Sequence, residues 1–244
     1  MNTQQKKADL IRWIQDIENV ELLDLLVNIK EQAQDLAEGI PEQNLLLKVT
    51  LEGTSKPPDW REILISNYAS FELLHYVIQL SFGWYNAHLW EFSPQPFSSP
   101  RIGPKPDDVM GAGFDFEDMV DASDMILDNV FKKAKDQFYY VYDMGDSWTH
   151  KIVLKKIVDE EITFPTCVAG KGACPPEDCG GIPGYYMLVE ALNNPKHSDH
   201  AQMMEWMEME TGESWDVHAF DLIETQAEIK EIFTEEMILF CEEE

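Results

Sequence analysis

Three cysteines and one histidine in the middle of this 244-residue chain have the side-chain types that bind a metal ion. Cys167, Cys174 and Cys179 lie in a segment rich in proline and glycine, and His150 lies on the predicted strand before it. Structural zinc takes four thiolate or imidazole ligands in a tetrahedron, so these residues predict a Cys3His zinc site. The spacing differs from the Cys-x-x-Cys knuckle, and ordinary packing of small residues in a loop is the alternative.

A second set of side chains combines imidazoles with carboxylates, which can bind a hydrolytic metal or transfer protons to and from a substrate. The set comprises His75, His88, His150, Asp143, Asp146, Glu177 and Asp178. No His-Glu-x-x-His signature accompanies it. The alternative is structural: carboxylates that flank a turn or lie in an irregular loop accept backbone N–H bonds, and a histidine among aromatic residues is often a hydrogen-bonded core residue.

Arg61 and Trp148 complete the candidate residues. Arg61 lies in a nearly neutral part of the chain, and we expect it to pair with one of the acids above or, alternatively, to bind an anionic ligand. Trp148 is expected to join Trp60, Trp84 and Trp90 in an aromatic core, with a platform for ligand stacking as the alternative.

The candidate residues must be positioned by strands and one helix. Alternating apolar residues predict strands at 45–52, 60–66, 88–92, 137–142 and 147–158, and a helix is predicted at 71–82 between Ser70 as N-cap and Gly83. The turn at 143–146 predicts a hairpin. The period of two along its second strand places His150 on the apolar face with Trp148.

The remaining segments define the domain organisation. Residues 1–40 predict an N-terminal helical hairpin, and residues 41–244 predict one main domain. Within that domain we expect a long loop at 93–122 and helices at 123–135, 185–193, 199–208 and 221–233. This order of elements predicts an α+β fold with a mixed or antiparallel sheet packed against helices.

The charge of the chain limits its partners. The 46 acidic and 18 basic residues give a net charge of −28, and residues 166–244 carry 18 acidic but only 3 basic groups. This charge repels phosphate backbones, so we expect no direct nucleic-acid binding. Acidic charge commonly serves solubility; a basic protein partner is the more specific interpretation. No apolar run reaches about 20 residues, so we expect no membrane span. We also expect a cytoplasmic location. Cysteines in that reducing compartment are expected to form no disulfides.

Five segments together resemble the plasmid pRiA4b ORF-3-like family, which also occurs on mobile elements. They are 57–61 (Pro-Pro-Asp-Trp-Arg), 74–84 (from Leu-His-Tyr to Phe-Gly-Trp), 88–92 (His-Leu-Trp-Glu-Phe), 142–150 (Tyr-Asp-Met-Gly-Asp-Ser-Trp-Thr-His) and 174–181 (Cys-Pro-Pro-Glu-Asp-Cys-Gly-Gly). They occur in the family's order over roughly residues 44–235. The resemblance implies an α+β fold and no particular activity, because the family is largely uncharacterised.

Three functional hypotheses follow. The first is a non-enzymatic binding or regulatory module, associated with a plasmid or mobile element, that acts through a basic protein partner. The second is a metal-dependent hydrolase that uses His75, His88 and His150 with nearby carboxylates. The third is a structural scaffold held together by zinc. The sequence leaves open whether the protein is an enzyme.

Overall fold

The structure is a computed structural model that describes residues 43–55, 58–104, 119–159 and 162–242, with residues 234–242 described by their backbone alone. The helical hairpin predicted at residues 1–40 lies outside the described residues. So does the middle of the loop predicted at 93–122. Within the described part, no helix is both long and apolar enough to cross a membrane.

One mixed sheet of eight strands organises the described residues. The strands are β1 (Asn44–Leu51), β2 (Trp60–Ser66), β3 (Trp90–Ser93), β4 (Arg101–Gly103), β5 (Met119–Asp121), β6 (Gln137–Tyr142), β7 (Trp148–Val158) and β8 (Thr166–Lys171). The helices are α1 (Phe71–Phe82), α2 (Gly181–Asn193), α3 (His200–Trp206) and α4 (Leu222–Glu242). The strand order is β5-β4-β3-β6-β7-β1-β2-β8, and only the β4–β5 pair is parallel. The predicted α+β class is confirmed.

Alternation of apolar residues buries one face of the central strands. In β7, Trp148, His150, Ile152 and Leu154 are all fully buried, as the period of two predicts. The same pattern buries every second residue of β1. Helix α1 packs on this core through its apolar face, including Leu74 and Ile78.

Local signals define both ends of α1. The Ser70 hydroxyl accepts a hydrogen bond from the Leu73 N–H at 3.0 Å, which satisfies one free amide of the first turn. Gly83 ends the helix with φ of 79°, a left-handed conformation that glycine adopts without a Cβ clash. The bounds predicted for this helix are therefore confirmed.

The prediction of a helix at residues 123–135 is wrong. The residues just before this segment form the edge strand β5, and the segment itself contains a single 3-10 turn, at Leu127–Asn129. The backbone N–H groups of Leu127 and Asp128 bond to the carbonyls of Ala69 and Asn67, at 2.9 Å each. The segment therefore pairs with the connection before α1, which withdraws its amides from a helix of its own. The three helices predicted after residue 184 are confirmed, with α2 beginning earlier, at Gly181.

Arg61 is a buried structural cation. Its guanidinium donates hydrogen bonds to four backbone carbonyls, those of Trp60, Ser81, Lys171 and Gly172. These bonds join β2 to the end of β8 and to α1. Within the described residues Arg61 forms no ion pair with the acids of the 143–146 turn or the 174–181 loop, because its donors are committed to carbonyls.

Asp59 is buried beside this arginine. Neither of its carboxylate oxygens has a hydrogen-bond partner among the described residues. Burial raises the pKa of Asp59 to about 7, against the opposing influence of the Arg61 guanidinium. The carboxyl group is therefore poised to titrate near neutral pH.

We predict that Asp59→Asn changes how stability depends on pH. Because the pKa of Asp59 is higher in the folded protein than in the unfolded chain, its contribution to stability is complete below about pH 4 and is lost as pH rises through about 7. The variant should therefore gain stability relative to the wild type between pH 5 and pH 8, measured by denaturant unfolding. Asp124→Asn, at an exposed site, is the control. Parallel pH profiles for wild type and Asp59→Asn would contradict the prediction.

Candidate metal centre

Three connections meet at one end of β6 and carry most of the candidate side chains. They are residues 83–89 after α1, the turn 143–147 between β6 and β7, and the loop 172–180 between β8 and α2. The turn is organised by Asp143, whose Oδ1 accepts hydrogen bonds from the N–H groups of Gly145 and Asp146 at 2.8 and 3.3 Å. The structural role expected for a carboxylate beside this turn is thus present in Asp143.

The hydroxyl group of Tyr142 joins these connections. It accepts a hydrogen bond from the Ala87 N–H at 2.9 Å and donates one to Oε1 of Glu177. The same Glu177 oxygen accepts the Tyr85 N–H at 3.1 Å. Burial, together with the Glu177 carboxylate, raises the pKa of Tyr142 above its ordinary value, so the hydroxyl stays protonated and donates.

Two further contacts hold the 172–180 loop against its neighbours. Trp84 donates its indole N–H to the Pro175 carbonyl at 2.9 Å, and the Gly180 N–H donates to Oδ2 of Asp146 at 3.0 Å. A Cβ at Gly181 would lie 2.6 Å from the Asp146 carbonyl oxygen, so only glycine allows this approach. Asp146 and Glu177 therefore act as structural acceptors between loops.

His88, Asp143 and Asp178 come together where the connections meet. Nε2 of His88 lies 3.3 Å from Oδ1 of Asp178 and 3.8 Å from Oδ2 of Asp143. One ligand atom from each residue lies within 4.8 Å of the other two, and among the described residues this is the only such group of three or more potential metal ligands. His88 Nε2 is buried and has no partner with hydrogen-bond geometry in the described part of the chain.

The group has the composition of a catalytic metal site. Ligands of one ion with bonds of about 2.0–2.2 Å lie about 3–3.5 Å apart, close to the two separations from His88 Nε2. One imidazole and two carboxylates suit Mn²⁺, Fe²⁺ or Zn²⁺. Three protein ligands would leave coordination positions for water and substrate. The side chains are 27% (His88), 12% (Asp143) and 72% (Asp178) exposed, so the group can be reached from solvent through Asp178.

His75 lies in a buried hydrogen-bond network instead. Its Nδ1 is bonded to the Tyr140 hydroxyl and its Nε2 to Oδ1 of Asn86, both at 2.8 Å. Gln79 completes the network: its Nε2 donates to the Tyr140 hydroxyl, and its Oε1 accepts the Asn86 N–H. Burial lowers the pKa of His75 to about 3. His75 is therefore a neutral structural residue that fixes Asn86, two positions before His88.

His150 is fully buried among aromatic rings, on the face predicted for it. Its Nδ1 contacts the Trp148 carbonyl at 3.0 Å, and its ring lies edge-on to Phe82 and Trp84. Burial lowers the pKa of His150 to about 3. Trp148 is fully buried in the same aromatic cluster, as the sequence predicts. The hydrolytic set of His75, His88 and His150 is therefore not assembled; only His88 lies with carboxylates.

The predicted Cys3His set is not brought together either. The Cys167 and Cys174 thiols contact the carbonyls of Ala169 and Pro175, at 3.4 Å each. Burial raises the pKa of all three thiols, that of Cys179 to about 12, which disfavours the thiolate that zinc requires. No group of three from Cys167, Cys174, Cys179 and His150 has ligand spacing, although all four are described. The strand β8 holds Cys167 apart from the loop that carries Cys174 and Cys179.

Four residues that organise the site are absent from the sequence-based candidates: Gln79, Asn86, Tyr140 and Tyr142. A signal for the two tyrosines exists, because residues 140 and 142 share one face of a strand whose residues are mostly apolar. A buried tyrosine hydroxyl needs a partner, so each predicts a nearby polar group. No comparable local signal marks Gln79 or Asn86.

A cleft of about 610 Å³ opens beside the candidate metal centre. It lies between α2 and α3, and Asp178 and Cys179 form the end nearest to His88. A volume of this size is within the range of small-molecule sites. Asp178 thus belongs both to the ligand group and to the wall of the cleft.

We predict that Tyr142→Phe destabilises the protein by about 1.5–3 kcal/mol, the usual contribution of a buried hydrogen bond to a charged group. The substitution removes the hydroxyl that joins Ala87 to Glu177. Denaturant unfolding measures the change in free energy. Tyr85→Phe is the matched control, because the Tyr85 side chain is 86% exposed. Equal stability of the two variants would show that the hydroxyl does not hold the loops together.

The chain is similar to proteins that are themselves uncharacterised. It is 35% identical over 162 residues to the uncharacterized protein y4hQ of Sinorhizobium fredii (strain NBRC 101917 / NGR234), covering 66% of this chain and 78% of that protein. It is 30% identical to the protein of unknown function MM3350 from Methanosarcina mazei Go1, whose crystal structure superposes with a TM-score of 0.62, covering 74% of this chain and 96% of the other. The profile of the plasmid pRiA4b ORF-3-like protein family matches residues 43–224. The chain therefore belongs to the plasmid pRiA4b ORF-3-like protein family.

Proposed function

We propose that the protein is a metal-dependent hydrolase whose divalent ion is bound by His88, Asp143 and Asp178. The observation that carries the proposal is the convergence of three ligand atoms around a histidine nitrogen without a hydrogen-bond partner among the described residues. The residues differ from the set expected from the sequence: His88 is retained, His75 and His150 are not used, and two aspartates supply the carboxylates.

The contacts of each ligand support this assignment. Asp143 uses Oδ1 for the turn amides, so Oδ2 is the oxygen that remains toward His88. The His88 ring lies edge-on against Tyr142, with ring centroids 5.7 Å apart, which limits its rotation. Asp178 adds the third ligand from the solvent side. Two of the three ligands are therefore positioned by buried structure, and the third can admit the ion.

The chemistry follows from the type of site. A bound divalent ion supplies Lewis acidity and a water molecule of lowered pKa, which is the requirement for hydrolysis at neutral pH. Asp178 also lines the 610 Å³ cleft, from which a substrate can approach the ion. Cys179, which also lines the cleft, is a poor nucleophile because burial raises its pKa to about 12.

We predict that the purified protein binds one equivalent of Mn²⁺ or Zn²⁺ and that His88→Gln weakens binding by at least about 10-fold, a loss seen even for residues that only orient a metal ligand. Isothermal titration calorimetry and elemental analysis measure affinity and stoichiometry. His218→Gln, at an exposed histidine outside the site, is the control. Absence of binding at millimolar ion concentrations would show that the three residues interact only with one another, and it would overturn the proposal.

Activity is tested in the same samples with p-nitrophenyl esters, p-nitrophenyl phosphate and amino-acid p-nitroanilides. Hydrolysis should depend on the added ion, disappear with Asp143→Asn and persist in His218→Gln. Zinc that stays bound to His88→Gln but is lost from Cys174→Ser would instead support the Cys3His scaffold.

A non-enzymatic module for a basic protein partner is the second candidate function. It is favoured by two adjoining hollows of about 310 and 380 Å³ between α1, the Trp84–Tyr85 pair and α4. Tyr76, Tyr85 and Ile232 are exposed apolar residues along them. Glu228 and Glu231 line the second hollow. Exposed aromatic residues beside carboxylates suit a lysine or arginine flanked by apolar side chains.

We predict that a double variant, Glu228→Lys with Glu231→Lys, loses basic proteins that the wild-type chain retains in affinity purification. Reversing the two charges replaces attraction by repulsion at the hollow. A matched double variant, Glu205→Lys with Glu208→Lys, changes the charge equally on α3 and just after it, away from the hollow, and should retain them. Quantitative mass spectrometry compares the three samples. Identical recoveries would remove this candidate.

A further inference from the structure

The 610 Å³ cleft between α2 and α3 is lined by apolar and acidic side chains. Met187, Leu188, Met203 and Trp206 supply large apolar side chains. Met187 is 68% exposed and Trp206 is 46% exposed, so both present apolar surface to a ligand. Methionine side chains adapt to ligands of different shape, and an indole ring attracts cations to its face.

The charges that line the cleft are of one sign. Asp178, Glu190 and Asp199 are acidic, and no lysine or arginine occurs among the described residues that line the cleft. His197 also lines the cleft, but its Nδ1 accepts a hydrogen bond from the Asp199 N–H at 3.2 Å. That nitrogen therefore does not donate to the Asp199 carboxylate, which lies 3.9 Å away.

A metal ion at His88 would not remove the negative charge of the cleft. Binding at His88 would neutralise Asp143 and Asp178, whereas Glu190 and Asp199, which are not ligands, would keep their charges. An anionic ligand such as a phosphate ester would be repelled, and a neutral ligand would leave the carboxylates uncompensated. A cation with an apolar body complements both the acidic and the apolar side chains of the cleft.

We infer that the cleft binds a primary ammonium ion carried on an aromatic or aliphatic group. The apolar group lies against Met187, Met203 and Trp206, and the ammonium lies near Glu190 and Asp199. The inference rests on the proposed function in one respect. If the protein is a metal-dependent hydrolase, this cation is the part of its substrate that binds in the cleft beside the metal centre. The ammonium belongs either to a free amine or to a lysine side chain.

Three probes of similar size test the inference: 2-phenylethylammonium, the neutral 2-phenylethanol and the anionic phenylacetate. Calorimetry should give at least about 10-fold tighter binding for the ammonium than for the alcohol, which corresponds to about 1.4 kcal/mol, and no detectable binding of phenylacetate. Equal affinities for the ammonium and the alcohol would overturn it.

Variants locate the binding. Glu190→Gln and Trp206→Leu should each weaken ammonium binding at least about 5-fold. Glu205→Gln, an exposed site on the same helix as Trp206 and outside the cleft lining, should not. Since these side chains are exposed, the fold should persist, and circular dichroism checks it. Unchanged affinity in both cleft variants would show that the ammonium binds elsewhere and refute the site.

The titrations are repeated with His88→Gln in the absence of metal. Retained ammonium binding there, without metal binding, would show that the cleft site stands although the proposed metal function is disabled. Metal binding by the wild type without ammonium selectivity would reject the cleft inference alone. A peptide, acetyl-Ala-Lys-Ala-amide, is compared with the free amine; either order of affinity supports an ammonium site and identifies its source.

Discussion

The buried hydroxyl group of Tyr142 is the interaction on which the candidate site depends. A hydroxyl buried without a partner costs free energy, and here one group satisfies two segments at once: it accepts from Ala87 and donates to Glu177. Ala87 precedes His88, and Glu177 precedes Asp178. Tyr142 itself precedes Asp143. Each of the three proposed ligands is therefore one residue from a group in this hydrogen-bond chain, which explains why loops distant in sequence present their side chains to one point.

The neighbouring tyrosine on the same face of β6 extends this arrangement into the core. Tyr140 lies two residues earlier, and its hydroxyl is bonded to His75 and Gln79 on α1. Through Asn86 the network continues to the connection that carries His88. Fully satisfied buried networks specify one arrangement of the chain. The polar residues of this core thus position the connections around the site. Burial keeps His75 and His150 neutral, with pKa values near 3.

The sequence predicted what depends on local patterns. Alternation placed His150 and Trp148 inside, and caps set the ends of α1. It failed at residues 123–135, where hydrogen bonds to Ala69 and Asn67 outweigh helical periodicity. The sequence placed His88 in one set with Asp143 and Asp178. It also included His75 and His150, which burial keeps neutral within the core. His88, Asp143 and Asp178 meet because β3 and β6 are neighbours in the sheet and because hydrogen bonds tie the 172–180 loop to Tyr142 and to the turn after β6. No local pattern reports which members of that set converge.

The two metal hypotheses differ in the free-energy cost of burying charged ligands. Three thiolates would have to form where burial already raises the pKa of each cysteine, so a zinc ion there would have to offset deprotonation in a dry environment. At His88 the Asp178 side chain is 72% exposed and that of Asp143 is 12% exposed, so only one of the two carboxylates is deeply buried. A divalent ion there would relieve repulsion between two carboxylates in a protein of net charge −28. It would also join Asp178, the most exposed of the three ligands, to the turn that Asp143 organises. An ion bound by all three residues would hold the 172–180 loop at this end of β6, as the Tyr142–Glu177 hydrogen bond does, so metal binding and loop docking would stabilise each other.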